Sequence, residues 1–181
     1  MNREDPLTIP YRDHPRVDEL IDRLRYTLEH ISLGFDRYGE HRVVGPGMYF
    51  AVVIGPSVRT FADQMGHNRW PADQPRDAFE SEEHFVQAAS EVAYTCDGAV
   101  VVSIDGIANF QLVRFRMVNI SADLHYAPWM GARHMSALDI STRSNVVATL
   151  TLSEESGRVS VFENGAYESW QRSEFGNRWG G

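Results

Sequence analysis

The stretch GARHMSALDISTRSNVVATLTLSEESGRVSVFENGA, residues 131–166, changes character several times, and those changes predict the fold class. It opens at Gly131 and turns helical. A run of β-branched and aliphatic residues, VVATLTL (146–152), then reads as a strand. Ser153 to Gly157 is a polar turn, RVSVF (158–162) is a second strand, and Asn164-Gly165 turns the chain again. A helix feeding a strand that returns through a tight turn belongs to an α/β domain. Strand–helix alternation supports parallel pairs and the Asx-Gly turns support antiparallel ones, so the expected architecture is a mixed central β-sheet flanked by helices.

Working outward, Val17, Leu20, Ile21, Leu24, Leu28 and Ile31 fall at helical spacing, with Gly34 as a stop. MYFAVVI (48–54) is a short apolar run bracketed by Gly45, Gly47 and Gly55 and reads as a buried strand. Residues 66–80 carry Pro71 and Pro75 and read as loop. A second helix is expected over about 81–95, with Ser81 as a cap and Phe85, Ala89 and Val92 on one face. Cys96-Asp97-Gly98 leads into a strand at Ala99. Asp105-Gly106 makes a hairpin turn, and residues 107–120 read as one or two strands. The expected division is an arm and helix over 1–40, the α/β domain over 41–170 and a frayed tail over 171–181.

Composition narrows the class of function. The 181 residues suit one domain with a core of its own. Net charge is -8, and all 17 basic residues are arginine. An acidic surface repels phosphate backbones, so nucleic acid is not an expected partner. Arginine does suit phosphate in a defined pocket, because its planar fork binds two oxygens at once. The only cysteine, Cys96, precludes an internal disulfide. The polar N-terminus has no signal-peptide core and no apolar run reaches membrane-spanning length, so a cytoplasmic location is expected and a membrane is not.

Three polar segments lie at strand or helix ends. Asp97-Gly98-Ala99 opens a strand, where a carboxylate is fixed by the sheet and Gly98 allows close backbone approach. Gly131-Ala132-Arg133-His134 opens a helix, whose free N–H groups favour phosphate. Ser153-Glu154-Glu155-Ser156-Gly157 offers hard oxygen ligands to Mg²⁺ or Mn²⁺. Taken singly, each has a plainer reading: a turn, a solvated arginine, an exposed hairpin. Arg114 and Arg116 would share one strand face, either solvated or turned to a phosphate pocket. Trp129 and Met130 belong to the core or pack on a base. No His-x-His or His-Glu-x-x-His occurs, which leaves zinc catalysis without support.

In combination, Asp-Gly-Ala, then Gly-x-Arg-His, then Ser-Glu-Glu-x-Gly-x-Val-Ser-Val resembles the diadenylate cyclase (DisA_N, or DAC) family over about residues 80–166, most closely over 131–166. The resemblance implies a cyclase domain standing almost alone, which condenses two ATP molecules into cyclic di-AMP. It implies a homo-oligomer, at least a face-to-face dimer, with Mn²⁺ or Mg²⁺ as cofactor. Carried over, Asp97, Arg133 and His134 are the catalytic residues. ATP would be bound by Gly98, Ala99, Gly131, Ala132, Arg133 and Ser153, and the metal by Asp97 and Glu155. This chain departs from the family pattern where Met135 replaces a second arginine and Ala132 a threonine. Those departures keep open the alternative of a catalytically weakened domain that senses ATP or cyclic di-AMP.

Overall fold

The structure, a computed structural model, describes residues 14–55, 58–66, 70–95, 97–116 and 123–176. The N-terminal arm, Cys96 and the last residues of the expected tail lie outside the described residues.

In chain order the elements are α1 (Pro15–Leu33), β1 (Met48–Val53), β2 (Ala62–Gln64), α2 (Glu82–Thr95), β3 (Ala99–Ser103), β4 (Ala108–Phe115), α3 (Ala132–Ile140), β5 (Val146–Leu152), β6 (Val159–Glu163) and β7 (Ala166–Trp170). A 3₁₀ turn, Arg172–Glu174, follows. The seven strands form one sheet in the order β2-β4-β3-β1-β5-β6-β7. Among the described residues only β1 and β3 pair in parallel, joined by a crossover that contains α2, and the other strand pairings are antiparallel. The expected mixed sheet is therefore present. Residues 107–120 supply one strand among the described residues, β4. The short strands β2 and β7 escape the sequence reading: β2 has three residues, and AYESW in β7 mixes polar and aromatic residues on an exposed edge.

Strand geometry explains the two-sided core. Side chains alternate across the sheet. Met48, Phe50 and Val52 of β1 face α1 and α2, packing in one cluster with Leu20, Leu24, Leu28 and Phe85. Tyr49, Ala51 and Val53 face the other way and join Ala137, Leu138 and Ile140 of α3. A strand covered on both faces reads as an unbroken apolar run rather than an alternating one, as MYFAVV does. α1 buries Leu20, Leu24 and Leu28 completely, so it is part of this core.

The turns follow backbone chemistry. Asn164 and Gly165 both have positive φ, 48° and 78°, as the two-residue turn between β6 and β7 requires. Gly106, at φ 93°, closes the β3–β4 hairpin. The parallel β1–β3 and antiparallel β1–β5 pairings put the start of β3 and the end of β5 at the same end of the sheet, where the start of α3 also lies.

Candidate active site

Those three ends enclose a cleft of about 810 Å³. Asp97 and Gly98 border it from the head of β3, Gly131 to His134 from the start of α3, and Ser153 to Glu155 from the β5–β6 turn. Tyr49 of β1, Asp63 of β2, Arg114 of β4, Arg116 just beyond it and Ser136 of α3 add further polar lining. Every residue the sequence reading put forward as a site residue thus borders one cavity.

Arg133 ties the segments together. Its Nη2 lies 3.3 Å from Asp97 Oδ1 and its Nη1 3.3 Å from Glu154 Oε2. Charge-assisted hydrogen bonds usually run at about 2.7–2.9 Å, so both contacts are loose. The Asp97 side chain is 92% exposed, whereas that of Arg133 is 21% exposed. The arginine is held in place while its acidic partner is free to meet an incoming molecule. Gly98 has φ 109°, which a residue with a Cβ rarely adopts, and it bends the chain between Asp97 and the buried strand.

The start of α3 is bare. Its N-cap is Gly131, extended at φ -87° and ψ -176°, with no side-chain cap and no acid in the first turn. A Cβ at Gly131 would meet nothing within 4 Å. Open N–H groups and the positive end of the helix therefore face the cleft.

His134 behaves differently from Arg133. It is buried, its ring meets Trp129 edge-on at 5.2 Å, and its Nε2 has no hydrogen-bond partner among the described residues. Burial, with the charges of Arg133 and Arg158, pushes its pKa down to about 4. It is neutral at pH 7, so it offers a hydrogen bond to a ligand and no positive charge. Because the folded pKa lies below the unfolded value of about 6.5, the unfolded chain binds the extra proton between these values. Stability is then full above pH 6.5 and declines as pH falls toward 4, by on the order of 3 kcal/mol in total. Urea melts at pH 7 and pH 5 should show that His134→Gln loses less stability over this interval than the wild type.

The remaining residues sort by contact. Ser153 Oγ accepts the N–H groups of Glu155 and Ser156, both at 3.3 Å, so the hydroxyl shapes the turn while bordering the cleft. Arg116 pairs with Asp63 through two hydrogen bonds, 2.6 and 2.9 Å. Burial raises the pKa of Tyr49, which therefore remains a neutral phenol. Met130 is buried in the α3-side core, whereas Trp129 borders the cleft. Met135 is 37% exposed.

Two contributors stand in segments quoted above but were given no individual role there. Glu154, not Glu155, pairs with Arg133. Gly47 lies so close beneath them that a Cβ there would stand 2.6 Å from Arg133 Nη1 and 3.0 Å from the Cβ of Glu154. The bracketing glycines of β1 were the available signal.

Among the described lining residues, four carboxylates (Asp63, Asp97, Glu154, Glu155) face three guanidiniums (Arg114, Arg116, Arg133). No group of three His, Cys, Asp or Glu residues among the described residues is placed to hold a metal ion by protein ligands alone. The donor set fits Mg²⁺ or Mn²⁺ in the mode that uses one or two carboxylates plus phosphate oxygens of a bound substrate.

The fold and cleft define an α/β domain whose polar site lies where strand and helix ends converge, arranged around one arginine. Residues 76–167 match the family described as DAC, DisA bacterial checkpoint controller nucleotide-binding. The chain belongs to this DAC family, in agreement with the motif order. No curated protein matches it. Among solved structures it is similar to a hypothetical membrane spanning protein from Bacillus cereus, with TM-score 0.55 and 20% identity over 83% of this chain and 63% of that one. It is also similar to a double mutant of DacA from Staphylococcus aureus, with TM-score 0.53 and 18% identity over 87% of this chain and 91% of that one. At such identity the two structures establish the shared fold, and the chain spans less than two thirds of the Bacillus cereus protein. No helix among the described residues is long and apolar enough to cross a membrane.

Proposed function

We infer that this chain is a diadenylate cyclase: it condenses two ATP molecules into cyclic di-AMP and releases two pyrophosphates. The observation that carries the reading is the Arg133 bridge between Asp97 and Glu154 within one cleft, inside the stretch that matches the family. Each 3′-hydroxyl oxygen bonds to the α-phosphorus of the other ATP, and the bond from that phosphorus to the bridging oxygen of pyrophosphate breaks. Phosphoryl-type transfer is mostly positioning and charge neutralisation. Arg133 exchanges its loose acidic partners for phosphate oxygens, and the open start of α3 supplies further N–H donors. Asp97, freed from Arg133, accepts or steers the hydroxyl proton. His134 gives a neutral hydrogen bond. Gly98, Ala99, Gly131, Ala132 and Ser153 border the nucleotide.

The excess of carboxylates argues for a divalent cation, Mn²⁺ or Mg²⁺, entering with ATP, because a polyanion alone would be repelled. Asp97 and Glu155 would hold it, and it would neutralise charge on the phosphates. One cleft holds one ATP in this scheme, so two chains must meet face to face, in the cytoplasm where ATP is abundant. Purified protein incubated with ATP and Mn²⁺ should yield cyclic di-AMP at a rate that rises faster than linearly with dilute protein. Asp97→Asn should lower that yield by at least about a hundredfold while retaining the fold. A linear rate from a monomer, or an unaffected variant, would count against the scheme.

A second reading has its own support. Met135 and Ala132 remove a guanidinium and a hydroxyl from the family pattern, so the domain would bind ATP or cyclic di-AMP as a sensor. ATP binding without product under both metals would favour it. In either case Gly47→Ala should displace Arg133, the movable neighbour, and weaken ATP binding by about tenfold or more with the fold unchanged. Calorimetric titration of that variant measures this.

A further inference from the structure

A second, smaller cavity of about 240 Å³ lies between the β5–β6 turn and the segment after β7, lined by Ser156, Arg158, Gln171, Arg172 and Ser173. It contains two permanent positive charges and no acidic lining residue, on a chain of net charge -8. Neither arginine is fully engaged. Arg158 Nη1 donates to Ser169 Oγ at 3.1 Å and its guanidinium stacks on Trp129, 4.5 Å from the ring centroid. Arg172 stacks on Tyr38 at 5.3 Å, and its Nη2 approaches Asp36 Oδ1 at 3.6 Å, a carboxylate whose side chain is 92% exposed. The Nε of Arg172 is buried with no hydrogen-bond partner among the described residues. The nearby Glu174 is turned onto the N–H of Gln171, at 2.6 Å.

We propose that Arg158 and Arg172, with the hydroxyls of Ser156 and Ser173, form a binding site for a small phosphate-class oxyanion. Guanidinium forks flanked by hydroxyl donors match tetrahedral oxyanions. The volume sets the size of the ligand. It falls below the roughly 300–1,000 Å³ of pockets that enclose a whole drug-sized ligand, so the site takes phosphate or a diphosphate group rather than a nucleotide. This site does not depend on the cyclase reading, since its residues are not those of the Arg133 cleft.

The test is calorimetric titration with inorganic phosphate, pyrophosphate and ATP at constant ionic strength. The Arg133→Gln background silences the main cleft. In that background the protein should still bind phosphate or pyrophosphate, while ATP binds more weakly than pyrophosphate. Adding Arg158→Gln should weaken the remaining binding by about tenfold or more. Arg158 also stacks on Trp129, so a second variant guards against misfolding. Ser173→Asp places a carboxylate at an exposed rim position and should weaken the anion to a similar degree. Absence of phosphate and pyrophosphate binding in Arg133→Gln at millimolar concentrations overturns the proposal. So does unchanged affinity after either rim substitution. Failure of the unsubstituted protein to form cyclic di-AMP from ATP, with this binding intact, would sink the cyclase reading alone.

Discussion

Replacing Arg133 by glutamine is expected to abolish cyclic di-AMP formation, lowering the rate by at least about a hundredfold and weakening ATP at the same time. Among the described residues its guanidinium is the group that contacts both Asp97 and Glu154, so the change removes phosphate neutralisation and leaves both carboxylates without their arginine. Arg133→Lys should recover little. A lysine is a point charge on a flexible stem and cannot span both partners as a planar fork does. The fold should survive, because both acidic partners are substantially exposed and such pairs contribute only about 0–1 kcal/mol. Product chromatography read beside a thermal melt separates the two effects. A variant with wild-type turnover would remove Arg133 from the mechanism.

The largest loss of stability should come from Phe50→Ala. Phe50 is fully buried in the central strand β1, beside Val100 on β3 and Leu150 on β5, and its ring stacks on Phe85 of α2 at 6.4 Å. Truncation leaves a cavity where sheet and helix meet, at a cost of about 3–5 kcal/mol. For a domain of this length that is roughly 10 °C in Tm. The denaturant midpoint should fall at unchanged slope. By contrast Tyr167→Ala, on the exposed edge strand β7, should cost less than about 1 kcal/mol. Equal losses at the two positions would mean that β1 is not the centre of the core.

The two variants probe different layers of legibility. Phe50 was readable as buried because MYFAVVI is apolar without interruption, and a strand covered on both faces has that pattern. The helices α1 and α2 were readable from spacing, and the hairpins from Asp105-Gly106 and Asn164-Gly165, whose backbone demands are local. β7 was not readable, since an edge strand facing solvent has no apolar alternation to betray it. At the site, the letters Asp-Gly-Ala, Arg-His and Ser-Glu-Glu marked the right segments, and all three border the cleft. The letters were silent on which glutamate meets Arg133, on the neutrality of His134 and on the approach of Gly47.

Local chemistry along the chain sets the kind and order of the elements and the character of their ends, because helix period, strand runs and turn residues act over a few positions. Which of those ends meet is settled by the packed fold. Arg133 finds Asp97 from 36 residues away and Glu154 from 21, and such encounters depend on strand order, on the parallel β1–β3 pair and on the direction in which α3 leaves its N-cap. The charge state of His134 likewise depends on what surrounds it, because desolvation is a property of the assembled core.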